Sequence, residues 1–319
     1  MEMKVSDIKT LGKEGVAYNL VGVALAAVAA VSFSLRSIFV KLAYEDMHDP
    51  VTLLALRMIF ALPFFVIALV IHYRFTDRSS SIRISSRDIG VLLGLGFVGY
   101  YLSSLLDMIG LQFVSAGVGR LLLFIYPTIV VIISTFALGK KPTLKEIAAL
   151  AITYVGVSLV LSNNYGGNND DFWFGATIII ASAMSFSLYL VGSGEIVAKV
   201  GTVRFTAYAT MAACMFCVLH FLAFRSFSAL VLPPRVYVLV VAMSVFSTVM
   251  PIFMMAEALR RIGASRVAMT SALGPIATVI AGNLGLDERM TLLQSLGAAL
   301  VISGVVLVTV QPRKTSTSG

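Results

Sequence analysis

Ala30-Val31-Ser32-Phe33-Ser34-Leu35 returns 153 residues later as Ala183-Met184-Ser185-Phe186-Ser187-Leu188, and Gly22 matches Gly175 at the same offset. A second set recurs at an offset of 148: Leu111/Leu259, Ala116/Ala264, Pro127/Pro275, Leu138/Leu286, Thr143/Thr291, Leu144/Leu292, Gly156/Gly304 and Val157/Val305. Self-similarity sustained over two long segments marks an internal duplication. The apolar residues between these landmarks fall in blocks of about 20 to 25, long enough at 1.5 Å per residue to cross a hydrocarbon core of roughly 30 Å. Ten blocks are expected, near residues 18–43, 50–73, 88–110, 115–138, 142–162, 172–197, 203–224, 236–259, 263–285 and 291–311. Five fall in each copy, and an odd number of crossings delivers the second copy to the membrane from the opposite side. The expected fold is therefore an all-α integral membrane protein, ten transmembrane helices in two inverted five-helix repeats. The first repeat covers 18–162, the acidic, asparagine-rich stretch 163–171 is an external linker, and the second repeat covers 172–311.

Composition agrees. Of 319 residues, 58% are hydrophobic and 13% charged, against about a quarter charged in soluble domains. The net charge of +8 does not indicate nucleic acid, because the basic residues sit in short loops between spans rather than on one face. With the N-terminus in the cytoplasm, 17 of the 24 basic residues fall on that side, and only Arg225, Arg235 and Arg289 on the other. Both termini are thus expected in the cytoplasm. Lys4, Lys9 and Lys13 precede a first span too long for a signal sequence, so that helix is expected to be retained. No loop is long enough for a folded extramembrane domain, which leaves function to the membrane-embedded part. The lipid bilayer and a small-molecule substrate are the expected partners, with a homodimer left open.

The duplicated blocks resemble the EamA-type family of the drug/metabolite transporter superfamily. The resemblance is carried by Ala116 through Pro127 to Leu138 with Lys140-Lys141-Pro142-Thr143, and by Ala264 through Pro275 to Leu286 with Asp287-Glu288-Arg289-Met290-Thr291. Arg57 sits where that family carries an arginine, and Lys140 departs from the acidic residue kept at Glu288. The resemblance implies a carrier whose central cavity is lined mainly by spans 1, 3, 4, 6, 8 and 9, working by export across a bacterial inner membrane.

Polar residues inside spans are costly, at least ~2.5–3.5 kcal/mol for a charge at the bilayer centre, so each is a functional candidate. Ser32 and Arg36, four apart on span 1, share a helical face and are matched on span 6 by Ser185 and Tyr189. Tyr101 and Ser104 on span 3, Arg120 and Tyr126 on span 4, and Ser271 on span 9 complete the candidate cavity set. Asp107 and Arg120 face each other across a tight turn and are expected to pair, while Arg57 and Asp107 are assigned structural charge. Pro127 and Pro275 interrupt spans 4 and 9 at equivalent places, the pattern that marks a transport site in inverted repeats, and are the candidate hinges.

Other matches are discarded. Gly94-Leu95-Gly96-Phe97-Val98-Gly99 fits a dinucleotide fingerprint but has no strand before it, and Gly90 and Gly94 read instead as a close-packing face. Cys214 and Cys217 have only His220 near them, so neither a metal nor any cofactor is expected. An integral membrane enzyme wants clustered His or carboxylates near one interface, whereas His48, His72 and His220 are scattered. The expected function is a secondary transporter exporting a small polar metabolite, anionic or zwitterionic, amino-acid-like or nucleobase-like. The alternatives are a membrane enzyme or a multidrug exporter.

Overall fold

The computed structural model describes residues 5–75, 85–138, 143–162, 170–288 and 290–309. Among these residues all regular structure is helical. That follows from the sequence, because a backbone without water nearby must satisfy its own N–H and C=O groups. Eight segments are long and apolar enough to cross a membrane: Tyr18–Tyr44, Pro50–Phe75, Ser86–Gly110, Ala116–Phe136, Leu144–Leu161, Asp170–Gly194, Thr202–Phe224 and Pro234–Ile262. Two shorter apolar helices follow, Leu273–Gly285 and Leu292–Leu307. Residues such as Ile67, Phe136 and Val238 lie exposed on the outer faces, as expected of helices that are apolar all round and bathed in lipid.

Several of these segments are broken. Helices α1 (Val5–Ser34) and α2 (Arg36–Tyr44) are separated by a turn at Leu35, and α3 spans Pro50–Phe75 without a break despite Pro63. The third segment is α4 (Ser86–Leu95), a π-helical stretch over Gly96–Leu102, then α5 (Ser103–Gly110). The fourth is α6 (Ala116–Leu123) and α7 (Tyr126–Leu138), followed by α8 (Leu144–Leu161), α9 (Asp170–Val200) and α10 (Thr202–Phe224). Then come α11 (Pro234–Ser244), a second π-helical stretch over Val245–Val249, α12 (Met250–Ser271), α13 (Leu273–Gly285) and α14 (Leu292–Thr309).

The irregularities recur at the sequence offset of 148. The π stretch at Val245–Val249 falls on residues equivalent to 97–101, inside the first π stretch. The α6–α7 break at Phe124 corresponds to the α12–α13 break at Ala272, each three residues before a proline, Pro127 or Pro275. Proline supplies no N–H and its ring displaces the carbonyl one turn back, so the helix opens on its N-terminal side. Capping recurs too: Thr143 and Glu146 start α8 with a capping box, and Thr291 and Gln294 exchange the equivalent bonds, 3.0 and 3.3 Å, ahead of α14. Helices α8 and α14 approach so closely that a Cβ on Gly156 would lie 2.7 Å from the Gly297 carbonyl.

The helix ends define two rims. At the acidic rim Arg225 binds Asp49, Arg235 binds Glu45 and Asp46, the Gln112 amide donates to the His48 carbonyl, and Glu288 accepts from the Ala116 and Gly117 N–H groups. At the opposite, basic rim Lys199 binds Asp88, the Arg204 guanidinium lies 4.9 Å from the Tyr73 ring centre, and Glu257 holds Arg260 and Arg261. Arg235 and Glu288 share one rim, and Gly22 backs onto Arg261 and Ile262 near the other. The chain between Arg235 and Glu288 therefore begins and ends at the same rim. The sequence-assigned linker over 163–169, the Lys140-Lys141-Pro142 run and Arg289 lie outside the described residues.

Gly90 and Gly94, expected to form a close-packing face, have open space where a side chain would be. The glycines in close contact are Gly96, where a Cβ would lie 2.5 Å from the Ala209 carbonyl, and Gly99, where it would run into the Tyr189 ring. Both lie in the π stretch, which is clasped between α9 and α10.

Candidate functional site

A cavity of about 220 Å³ is lined in part by the first π stretch and by Phe124 at the α6–α7 break. The lining takes Ala30, Phe33 and Arg36 from the first segment, Gly99, Tyr100, Ser103 and Ser104 from the third, Arg120, Leu123, Phe124 and Tyr126 from the fourth, Phe186 from α9, and Met255 and Ser271 from α12, where the sequence placed a break at 260–262 between two spans. Of the nine residues expected from sequence, Arg36, Ser104, Arg120, Tyr126 and Ser271 line this space.

The other four lie beside it for identifiable reasons. Ser32 is separated from Arg36 by the turn at Leu35, so the four-residue spacing does not carry both side chains into the cavity. Tyr101 bonds the His220 ring at 2.7 Å, and the neighbouring Tyr100 takes the cavity position. Tyr100 is four residues before Ser104 and shares its face, whereas Tyr101, three before it, is turned further away, and the wider π turn increases that divergence. Ser185 donates to the Val98 carbonyl at 2.7 Å and Tyr189 to the Tyr100 hydroxyl at 3.2 Å. Both therefore brace the π stretch. Phe33, Tyr100, Ser103, Phe124, Phe186 and Met255 were not singled out from sequence. Phe33 and Phe186 are repeat partners of each other, which was a usable signal.

The charges are arranged differently from expectation. Asp107 forms its ion pair with Arg36, on the first segment, and not with Arg120 across the turn. Asp107 is 1% exposed and the Arg36 side chain 12%. A buried pair of this kind offsets two desolvation costs against each other, and removing either partner strands the other. Arg120 shares the cavity wall, and its Nε has no hydrogen-bond partner among the described residues. Among the described residues the lining thus holds one guanidinium in an ion pair and one with none, faced by the rings of Phe33, Tyr100, Phe124, Tyr126 and Phe186. Arg57, 3% exposed, lies behind this wall with its carbonyl accepting from Ser244 at 2.9 Å.

Pro127 and Pro275 are not on the lining, but the breaks they cause are adjacent to it, at Phe124 and beside Ser271. Two halves that break their helices at equivalent points around one cavity match a known family, which aligns with residues 20–162 and again with 173–310. The chain belongs to the EamA-like transporter family. This EamA-like chain is 32% identical to the uncharacterized transporter YcbK of Bacillus subtilis, over 87% of its own length and 90% of that protein. It is 23% identical to an uncharacterized transporter of Synechocystis, over 94% and 96% of the two chains. A crystal structure of a protein 16% identical superposes with a TM-score of 0.58, covering 92% of this EamA-like chain and 96% of the other, which establishes a shared fold. The family and these two relatives make it a multi-pass membrane transporter.

Proposed function

We propose that this transporter is a secondary carrier for a small anionic or zwitterionic metabolite, amino-acid-like or nucleobase-like, which it exports by alternating access between two inverted five-helix repeats. The observation that carries the reading is the guanidinium of Arg120 on the cavity wall, its Nε unpaired while Arg36 is neutralised by Asp107. A guanidinium in a water-poor cavity recruits a carboxylate or phosphate through paired hydrogen bonds, gaining both affinity and orientation. The aromatic walls favour a substrate whose acidic group is attached to a flat or apolar body. A cation exporter needs a carboxylate free to act as counter-charge; among the described residues no carboxylate lines the cavity, and Asp107, which reaches its wall through Arg36, is held in that ion pair.

Ten crossings are supported by the eight long segments, the two shorter apolar helices, and the return of the chain between Arg235 and Glu288 to one rim. The recurrence of π stretches and proline breaks at one offset supports the inverted repeat. The basic rim is assigned to the cytoplasm, with both termini there and the protein in the inner membrane. The test is counterflow in proteoliposomes with labelled acidic metabolites and quaternary ammonium compounds, comparing wild type with Arg120→Gln. Acidic compounds should exchange, with at least about a tenfold loss in the variant, the worth of one charge-assisted hydrogen bond. Efficient exchange of quaternary ammonium compounds, or full activity on acids after the substitution, would refute the reading.

A further inference from the structure

Helices α3 and α12, which belong to different halves of the chain, diverge toward the basic rim. Helix α3 packs against α11 and the second π stretch, and it meets α12 through Phe65, whose ring lies 6.1 Å from that of Phe253. Beyond that contact the two helices are separated by a groove of about 550 Å³. Phe64, Ile67 and Ile71 recur at helical spacing along one wall, Val249 and Phe253 form the other, and the small side chain of Ala68 gives the groove its depth. Phe64, Ile67, Ile71 and Phe253 are 39–55% exposed, so these side chains open onto the groove and onto the lipid beside it.

Length and charge narrow the choice of occupant. From Phe64 to His72, the one polar residue on the lining, is about 12 Å along the helix, most of the roughly 15 Å of hydrocarbon in one leaflet. The mouth lies at the membrane surface: next to His72, the Tyr73 hydroxyl shares a hydrogen bond of 2.8 Å with that of Tyr208, and the Arg204 guanidinium stands over the Tyr73 ring, an aromatic and basic grouping suited to headgroup level. Arg74, three residues after Ile71 on the same face, is exposed there and forms no ion pair among the described residues. Deeper than His72 the lining offers no hydrogen-bonding side chain, so a polar solute would find no partner. A hydrocarbon chain would fill the gap and restore the contacts that the two helices do not make with each other.

We propose that this groove seats one acyl chain of a phospholipid with an anionic head group, its phosphate beside Arg74, so that a single lipid touches both halves of the protein. The site stands independently of what the central cavity carries. The test is native mass spectrometry of the purified full-length protein, titrated with phosphatidylglycerol and, separately, with phosphatidylcholine of the same chains. One lipid should bind ahead of all others, with phosphatidylglycerol favoured about fivefold, the worth of one basic residue beside an anionic head group. Ala68→Phe, which fills the floor of the groove, should weaken that first binding at least about tenfold for both lipids, because several buried methylenes are displaced. Val70→Phe, at an exposed position on the same helix but off the groove, should leave it unchanged. Arg74→Gln should abolish the preference between head groups and spare the binding of phosphatidylcholine. If Ala68→Phe does not fold, Ile71→Asn on the exposed wall takes its place. First binding that survives the groove variants, or that Val70→Phe weakens equally, would overturn the proposal. So would equal binding of the two lipids by the wild type, or a dimer that the groove variants dissolve, which would assign the groove to a second copy of this chain.

Discussion

The two halves of the chain repeat their mechanics and differ in their charge. The π stretches, the proline breaks and the capping boxes coincide at an offset of 148 residues, yet Arg120 is matched by Ala268 and Asp107 by Met255. At the offset of 153, Arg36 is matched by Tyr189, and the turn at Leu35 by uninterrupted α9. What recurs is therefore backbone geometry, set by Pro127 and Pro275 and by packing. What does not recur is the ionised cluster at the cavity, which the first half supplies alone. A duplicated scaffold constrains where helices bend, while the residues that meet a ligand are free to diverge once both copies face a single cavity.

Breaking the charge in the first half should have the largest effect. Asp107→Asn leaves Arg36 buried without its partner, which should lower stability by about 3 kcal/mol, whereas the volume-conserving Met255→Leu at the equivalent place should cost less than about 1.5 kcal/mol. The double variant Arg36→Gln/Asp107→Asn should recover most of the loss, and unfolding midpoints in detergent would measure all three. Breaking the shared mechanics should instead be symmetric. Pro127→Ala and Pro275→Ala should each insert normally and slow exchange by a similar factor, about three- to tenfold, because each restores a continuous helix at an equivalent bend. A large effect from one and none from the other in a proteoliposome exchange assay would show that the halves do not share their hinge.

At the acidic rim, Glu288→Ala removes the acceptor for the first N–H groups of α6 and should cost about 1 kcal/mol, the typical worth of a helix N-cap. The smallest effect concerns Asp49. Partial burial opposes its ionisation, but hydrogen bonds from Arg225 and Thr52 hold its carboxyl below the usual carboxylate value. Its contribution is then fully present above about pH 4, the unfolded-state value, and is lost as the pH falls through the lower folded-state value. Both side chains are partly exposed, so Asp49→Asn should lower the neutral-pH midpoint by a degree or two and flatten the acid limb of the stability profile.

Much of this was legible in the sequence because the signals were local or periodic. The repeat offsets, the two prolines and the Thr143…Glu146 spacing depend on residues a few positions apart. Arg36, Ser104 and Arg120 could be chosen because polar groups in apolar spans are rare. The misses have two local causes: both Tyr100 and Tyr101 lie within one turn of Ser104 and the π turn carries Tyr101 away from the cavity, and the turn at Leu35 separates Ser32 from Arg36. The pairing of Asp107 with Arg36, 71 residues away, competed with a nearer arginine, and only the packing of spans decides between them. Ser185 and Tyr189 were legible as polar but not as braces, since nothing in the sequence marks the Val98 carbonyl and the Tyr100 hydroxyl to which they donate.

The Glu288 carboxylate, which clasps the start of α6 from the other half of the chain, has a thermodynamic corollary. In an inverted repeat the mirror-image state would seek the same clasp at the start of the ninth crossing, near Ala264, from the residue equivalent to Glu288, which is Lys140. An ammonium group has no lone pair to offer an N–H. On the proposed alternating-access reading, the two access states are then unequal in energy by about 1 kcal/mol, the worth of that helix cap, or a population ratio of roughly five. If the proposed cycle and the proposed cytoplasmic placement of the basic rim hold, the ensemble without cargo should favour the state in which this clasp is made, to the extent of that ratio.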